Sequence, residues 1–284
     1  MTVNCASASP CIRWRGRSSF SPSVFIPNGN SLSLEVKMEK VSVIMPAYNA
    51  AGFIKQSILG VLNQTYQDYH LYVIDDASTD NTADVVKPFI HDRLTYIRNN
   101  TNQGVAETRN IAIEAARGDY IAFCDSDDVW HPNKLARQVG ILKTDRYDVV
   151  CSHYYTFVDD PDRVKNYRGA GEIIAYNDML KSNWIGNLTG MYNQRQVGKV
   201  YQSKVGHEDY VMWLSVLEKA RNHLAYCIPE PLAFYRLSAQ SLSGNKIQAA
   251  DWQWQIYRRH LGLSYQKSCY LFFSYLYSAV MKRQ

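Results

Sequence analysis

At 284 residues, 46% hydrophobic and 20% charged, the chain has the size and balance of a globular enzyme with one substantial core or two modest lobes. Its net charge of +5 is concentrated early: beyond residue 37 there remain 27 basic and 25 acidic side chains, which excludes a nucleic-acid binder held by a basic surface. No run approaches the roughly 18 apolar residues of a membrane span, and the six cysteines form no CxxC pair, so they read as reduced thiols of a cytoplasmic protein.

Residues 1–37 differ from the rest. They are Ser-rich, carry Arg13, Arg15 and Arg17, and hold no acid before Glu35. A transit peptide has that composition. Upstream sequence read in frame, with Met38 as the start, is the reading favoured, because "MEKVSVIMPAYN" enters the first strand as a natural N-terminus would. Either origin predicts a disordered, dispensable extension.

From Val41 a regular alternation begins. "VSVIMP" reads as a buried strand, and Ile54, Ile58, Val61 and Leu62 keep helical spacing after it. "HLYVID" is a second strand, followed by a helix that Asp80 starts and Pro88 ends. "LTYIR" is a third, then a helix carrying Val105, Ile111, Ala112 and Ala115. "DYIAFC" is a fourth, a helix spans about 132–143, and "DVVCSH" is a fifth. Strands alternating with helices over short connections predict a doubly wound, mostly parallel sheet, which binds ligands beyond the C-terminal ends of its strands.

After residue 153 the period weakens. A short helix is expected near 176–182, an amphipathic helix over "GHEDYVMWLSVLEKA", and a strand over "PLAFYRLS". Two helices close the chain. The last, "SCYLFFSYLYSAVMKRQ", is aromatic on nearly all sides and ends in Lys282 and Arg283, so it reads either as a core helix or as one dipping into a membrane interface.

The ligand rule for such sheets sorts the polar motifs. Pro46, Ala47, Tyr48 and Asn49 follow strand one, Asp75 and Asp76 end strand two, and Asn102, Gly104 and Arg109 follow strand three. "CDSDDVW" follows strand four and crowds Asp125, Asp127 and Asp128. Isolated acids there would cap a turn or helix. Three together repel unless something positive compensates them, and an all-oxygen set suits Mg²⁺, Mn²⁺ or Ca²⁺. An EF-hand loop is excluded by Val129 and Trp130 at its fifth and sixth positions. The carboxylates therefore form one wall of a polar ligand site on the sheet's rim.

Five motifs, "VSVIMPAYN", "YVIDDASTDNT", "NQGVAETRNIAI", "GDYIAFCDSDDVWHPNKL" and "GHEDYVMWL", occur in the order and spacing of family-two glycosyltransferases of the GT-A fold. Residues 40 to about 240 resemble that family, most of all its bacterial members that assemble surface polysaccharides such as O-antigen, lipooligosaccharide and teichuronic acid. The resemblance implies an α/β GT-A architecture: a nucleotide-sugar-binding half over 38–153, a smaller acceptor-binding half over 154–245 and C-terminal helices over 246–284.

It also implies an activity: inverting transfer of a sugar from a nucleotide-diphosphate donor, expected to be a UDP-sugar, to a hydroxyl of a glycan or a polyprenyl-diphosphate-linked acceptor. Such an enzyme would be cytoplasmic, at the inner face of the cytoplasmic membrane. Asp127 is implied as ligand of a divalent Mn²⁺ or Mg²⁺, with Asp125 holding the ribose or sharing the metal and Asp128 supporting both. Pro46, Ala47, Tyr48 and Asn49 would line the donor site, Tyr48 against the nucleobase. Asp76 would accept a base N–H, and Arg109 and Arg236 would approach the diphosphate. Asp209 is implied as the general base, with Glu208 orienting the acceptor or the base. His207 stays open between solvent and site. Ser238 stands where many relatives place a metal-binding His.

Other readings make distinct claims. A haloacid-dehalogenase-like phosphatase would use Asp125 as nucleophile, yet its loop follows the first strand and carries a Gly that is missing here. A dinucleotide oxidoreductase would need G-x-G-x-x-G where "PAYNAAG" stands. A pyrophosphorylase would carry a Gly-rich, Lys-bearing loop there. A non-catalytic glycan-binding relative is the remaining alternative.

Overall fold

The computed structural model describes residues 40–237 and 246–281. The expectations for residues 1–37, Ser238, Lys282 and Arg283 lie outside the described residues.

Every residue of β1 (Val41–Ala47) is buried, as a continuous apolar run requires of a strand covered on both faces. It pairs in parallel with β2 (Tyr69–Asp75) on one side and β4 (Tyr120–Phe123) on the other, and β3 (Leu94–Arg98) continues the sheet beyond β2. Helices α1 (Ile54–Leu62), α2 (Thr82–Val86) and α3 (Val105–Ala115) connect these strands, as the sequence pattern predicts. The period of two divides the strands between two cores. Ile44, Tyr72 and Ile74 join the apolar cluster under α3. Val43, Met45, Leu71 and Val73 join the cluster under α1 and α4 (Lys134–Leu142).

The register aligns Ala47 with Asp75, Asp75 with Arg98, and Ile44 with Phe123. The segments after these strands therefore emerge along one rim.

Past β4 the sheet departs from the parallel expectation. The fifth strand of the sequence reading, β6 (Val149–Phe157), does not lie beside β4, because β9 (Met191–Asn193) is inserted antiparallel to both. Three residues are too few to show a period, so β9 is silent in the sequence. Parallel pairing resumes between β6 and β10 (Leu224–Arg236), and the short strands β7 (Asn166–Arg168) and β8 (Ile173–Ala175) pair antiparallel with these two. β10 begins seven residues before the "PLAFYRLS" expected from sequence. Pro229 and Pro231 obscure it, since proline cannot donate to a ladder, and the register shifts on both sides of Pro231. Beyond that irregularity β10 pairs with β5 (Val129–Trp130), the two residues that follow the carboxylate cluster.

The second half packs below this sheet through α5 (Tyr176–Met179), α6 (Gln194–Val197) and α7 (Glu208–Lys219). Trp213 of α7 is fully buried and meets the Phe123 ring edge-on at 5.7 Å. Gly190 permits this, because a Cβ there would stand 2.1 Å from the Trp213 ring. At the C-terminus α8 (Lys246–Gln255) precedes α9 (Tyr265–Met281). In α9 Leu271 is buried and Phe272 packs on Trp254, as the core reading expects, whereas Tyr270, Phe273 and Tyr277 face outward.

Candidate active site

The rim brings together the segments after β1, β2, β3 and β4. Pro46 and Ala47 are the last two residues of β1 and are buried, while Tyr48 stands 51% exposed beyond them. Asn49 occupies the left-handed region at φ 49°, which an Asn tolerates better than most L-residues. Its side-chain oxygen accepts from Thr79 N at 2.8 Å, and its own N–H donates to Ser78 Oγ at 2.9 Å. Asp80 accepts from Ala51 N at 3.0 Å. The loops after β1 and β2 are thus tied together, leaving the Tyr48 ring presented to solvent.

Asp75 and Asp76 divide their work. Asp75 is buried and accepts from Ser78 N at 2.8 Å and Tyr96 Oη at 2.5 Å. Asp76 accepts from Asn99 Nδ2 at 2.8 Å, Gln103 N at 2.9 Å and Gly104 N at 2.8 Å. Burial alone would raise its pKa, but these bonds reverse that and hold the carboxylate below its usual range. Asp76 therefore organises the turn into α3, a use that leaves less of its acceptor capacity for a nucleobase than the sequence reading assumes.

Arg109 is the hub. It projects from α3, is 7% exposed, and donates through Nη2 to Asp125 Oδ1 at 2.6 Å and through Nη1 to Gln202 Oε1 at 3.1 Å. Its Nε, also buried, has no partner. Burial works against its charge, yet the fields of Asp125, Asp209 and Glu208 prevail and raise its pKa. One guanidinium therefore links the acids after β4 to those at the start of α7.

The carboxylate cluster shows the repulsion expected of it. Asp127 is held above the usual carboxylate range by burial and by the like charge of Asp125, against the attraction of Arg236 and Arg109. Asp128 is completely buried and lies higher still, driven by burial and then by both neighbours. Its Oδ1 accepts from Arg236 N at 3.0 Å, whereas Oδ2 has no partner.

Arg236 is placed differently from the sequence expectation. Its guanidinium donates to the carbonyls of Asp127 at 2.9 Å and Val158 at 2.9 Å and to Gln56 Oε1 at 2.6 Å. It is also sandwiched between the rings of Phe53 and Phe157, 4.6 and 4.4 Å from their centroids. With most of its five N–H groups occupied by protein, it braces the carboxylate loop rather than reaching for a diphosphate.

Asp209 lies in the first turn of α7, partly buried. Burial raises its pKa, outweighing the opposing field of Arg109 and the bond from the Tyr210 N–H. Asn183 Nδ2 lies 3.5 Å from Asp209 Oδ2. Glu208 precedes it, close enough for its charge to act on Arg109. The Nε2 of His207 lies 3.4 Å from the carbonyl of Ala249 and its ring meets Trp252 edge-on, while its field still opposes the rise in the Asp209 pKa. Gly206 and His207 both have positive φ, and a Cβ on Gly206 would stand 2.4 Å from the Trp252 ring.

Three contributors escape sequence reasoning. Gln202 receives Arg109 and is clamped by Asn110, whose side chain accepts from Gln202 N at 2.7 Å and donates to Gln202 O at 2.9 Å. Asn183 is the third. Gln202 and Asn183 are single amides in stretches without period that no local pattern marks, whereas Asn110 lies within the "NQGVAETRNIAI" motif and its role is set only by the distant Gln202 that it faces.

The chemistry of the Asp125 and Asp127 carboxylates suits a divalent cation. Asp127 has only its own backbone N–H as a bonding partner, and Asp125 repels it. Among the described residues no group of three or more His, Cys, Asp or Glu side chains is arranged to hold a metal ion by itself. One or two carboxylates completed by phosphate oxygens and water are the usual Mg²⁺ arrangement. The donor set therefore fits a metal bound together with a diphosphate.

The phosphatase alternative does not fit this geometry, since Asp125 follows the fourth strand and is held by Arg109. Comparison with known proteins decides the matter. The sequence profile of Glycosyl transferase family 2 matches residues 42–204. TuaG of Bacillus subtilis (strain 168), provisionally named a teichuronic acid biosynthesis glycosyltransferase, is 35% identical over 86% of this chain and 97% of its own. The Escherichia coli protein WfgD, named UDP-Glc:alpha-D-GlcNAc-diphosphoundecaprenol beta-1,3-glucosyltransferase, is 37% identical over 76% of this chain and 84% of its own. Two solved structures share the GT-A fold. S. aureus TarS 1-349 in complex with UDP-GlcNAc superposes with a TM-score of 0.67 at 19% identity, over 84% of this chain and 71% of that one. The mannosyltransferase PcManGT of Pyrobaculum calidifontis, in complex with GDP-Man and Mn2+, gives 0.60 at 19% identity over 81% and 66%. The chain belongs to Glycosyl transferase family 2, and its activity is glycosyl transfer.

Proposed function

We propose that the protein is a metal-dependent, inverting hexosyltransferase that moves a sugar from a UDP-sugar to a hydroxyl of a glycan on a polyprenyl diphosphate. The observation that carries this reading is the position of Arg109, which pairs with Asp125 at 2.6 Å while its charge also acts on Asp209 and Glu208. That arrangement ties a polyphosphate-and-metal wall to a carboxylate suited to removing a proton. The names of WfgD and TarS support the donor and acceptor classes.

Residues 38–153 supply the donor half in this reading and 154–245 the acceptor half. Tyr48, beside Pro46, Ala47 and Asn49, offers an exposed ring for the nucleobase. Asp127, with Asp125, would hold Mn²⁺ or Mg²⁺, which would offset the charge growing on the departing diphosphate. Asp209 accepts the acceptor hydroxyl's proton as its oxygen bonds to the anomeric carbon and the bond from that carbon to the phosphate oxygen breaks. The raised pKa makes Asp209 a stronger base than an ordinary carboxylate. Asn183 and Glu208 hold that base and the acceptor in place. Arg109 keeps Asp125 oriented and supplies fixed positive charge beside the leaving group. An acceptor on a lipid carrier puts the enzyme in the cytoplasm, at the inner face of the membrane.

The test is transfer from UDP-, GDP-, dTDP- and CMP-sugars to a GlcNAc-diphosphate-lipid with Mn²⁺ and with chelator, the product's anomeric configuration being read by NMR. An inverted product formed from a UDP-sugar and lost on chelation is expected. Retention of configuration, or full activity in chelator, would overturn the reading.

A further inference from the structure

We propose that α9 docks the protein on an anionic lipid bilayer through a face formed by Tyr270, Phe273 and Tyr277. Their spacing of three and four residues places them on one side of the helix. They are 63%, 70% and 68% exposed, whereas Leu271 and Ser268 on the opposite side are buried. An amphipathic helix of this kind normally turns its apolar face inward. Here part of that face serves the core, and an aromatic stripe is left outside.

The charge around the stripe selects the occupant. From Trp252 to Gln284 the sequence contains no Asp or Glu but carries five Lys or Arg residues. Lys267, exposed, stands one turn before Tyr270 on the same side of α9, and Arg258, Arg259 and His260 are exposed just before the helix. Lys181 lines a hollow of about 470 Å³ together with the three aromatic rings. Asp178, which lines a neighbouring cavity with Ser278, is paired with Lys181 at 3.7 Å. Tyrosine and phenylalanine beside lysine and arginine suit the boundary between acyl chains and negatively charged headgroups. A second copy of the same face would set like charge against like charge. Among the described residues no helix is long and apolar enough to cross a membrane, so the contact is peripheral.

The position of the stripe deepens the reading of a lipid-linked acceptor, on which this step rests. Ser278 of α9 lines a cavity with Lys181 and Trp184. Trp184 adjoins Asn183, the residue beside the Asp209 carboxylate. Docking through α9 therefore sets the acceptor side of the site next to the surface that carries the acceptor.

Flotation of the full chain with vesicles of phosphatidylglycerol and phosphatidylcholine, against phosphatidylcholine alone, tests the docking surface. The triple variant Tyr270→Ser, Phe273→Ser, Tyr277→Ser removes the stripe, and the exposure of all three predicts an unchanged melting temperature. Binding to the anionic vesicles only, weakened by salt and lost in the triple variant, is expected. Transfer to a short-chain, water-soluble acceptor should persist in that variant, and transfer to acceptor embedded in vesicles should fall. Equal flotation of wild type and variant, or no flotation of either, would overturn the docking surface. A dimer in sedimentation that the triple variant dissociates would assign the stripe to a second copy instead. A wild type that floats but transfers to neither acceptor would count against the proposed acceptor and leave the docking result standing.

Discussion

The backbone N–H of Arg236 donates to Asp128 Oδ1 at 3.0 Å, joining positions 108 residues apart. Asp128 is thereby a fastener between β10 and the carboxylate loop. Asp128→Asn keeps an acceptor oxygen in place and removes a repelling charge, so the fold should be retained. Asp128→Ala leaves the Arg236 N–H buried and unpaired, at a cost of about 1–3 kcal/mol. Urea unfolding of the two variants should separate them by roughly that amount.

Asp127→Ala should abolish metal-dependent UDP binding without lowering the melting temperature. The carboxylate it removes is one that Asp125 already repels. Calorimetry with UDP and Mn²⁺ reads the first effect and differential scanning fluorimetry the second. Unchanged affinity would locate the metal elsewhere.

Asp209→Asn keeps the size of the side chain and an oxygen facing Asn183, so donor binding should stay near normal. It removes the basic carboxylate, and transfer should fall by about 10²- to 10⁴-fold. Steady-state assays with parallel UDP titrations distinguish this from a loss of donor affinity.

Lys134 predicts a pH effect unconnected with catalysis. Its side chain is fully buried, with Nζ 2.6 Å from Gln138 Oε1 and 4.1 Å from the centre of the Trp130 ring. Burial pulls its pKa down to about 7. Unfolded, the same group titrates near about 10.4. Below the folded value both states carry the proton, and the native state bears the whole cost of a buried ammonium. Between the two values the unfolded chain holds more protons, so stability rises with pH. Chemical denaturation should show wild-type stability climbing from about pH 6.5 to about pH 9, and Lys134→Met should flatten that climb.

The first half of the fold is legible in the sequence because β1, β2 and β4 are largely apolar runs separated by helical periods, and that pattern admits few alternatives. β9 is invisible for want of length, and the start of β10 is hidden by Pro229 and Pro231. Asp125, Asp127 and Arg109 announce themselves by crowding and by motif. Gln202 and Asn183 do not, since an amide's role depends on which distant strand or helix faces it. Arg236 shows the opposite limit. Its charge is obvious in the sequence, but its occupation by backbone carbonyls is set by a sheet edge that only the folded chain assembles.

The contact of Gly206 with Trp252 has a practical consequence for anyone trimming or exchanging the chain's tail. The indole is the mould against which the left-handed pair Gly206–His207 is cast, and that pair aims the first turn of α7. Cutting before residue 246 to obtain a smaller protein would discard the mould along with α9. A chimera that borrows a relative's tail would inherit that relative's setting of the Asp209 carboxylate. The boundary for such exchanges therefore lies after α8.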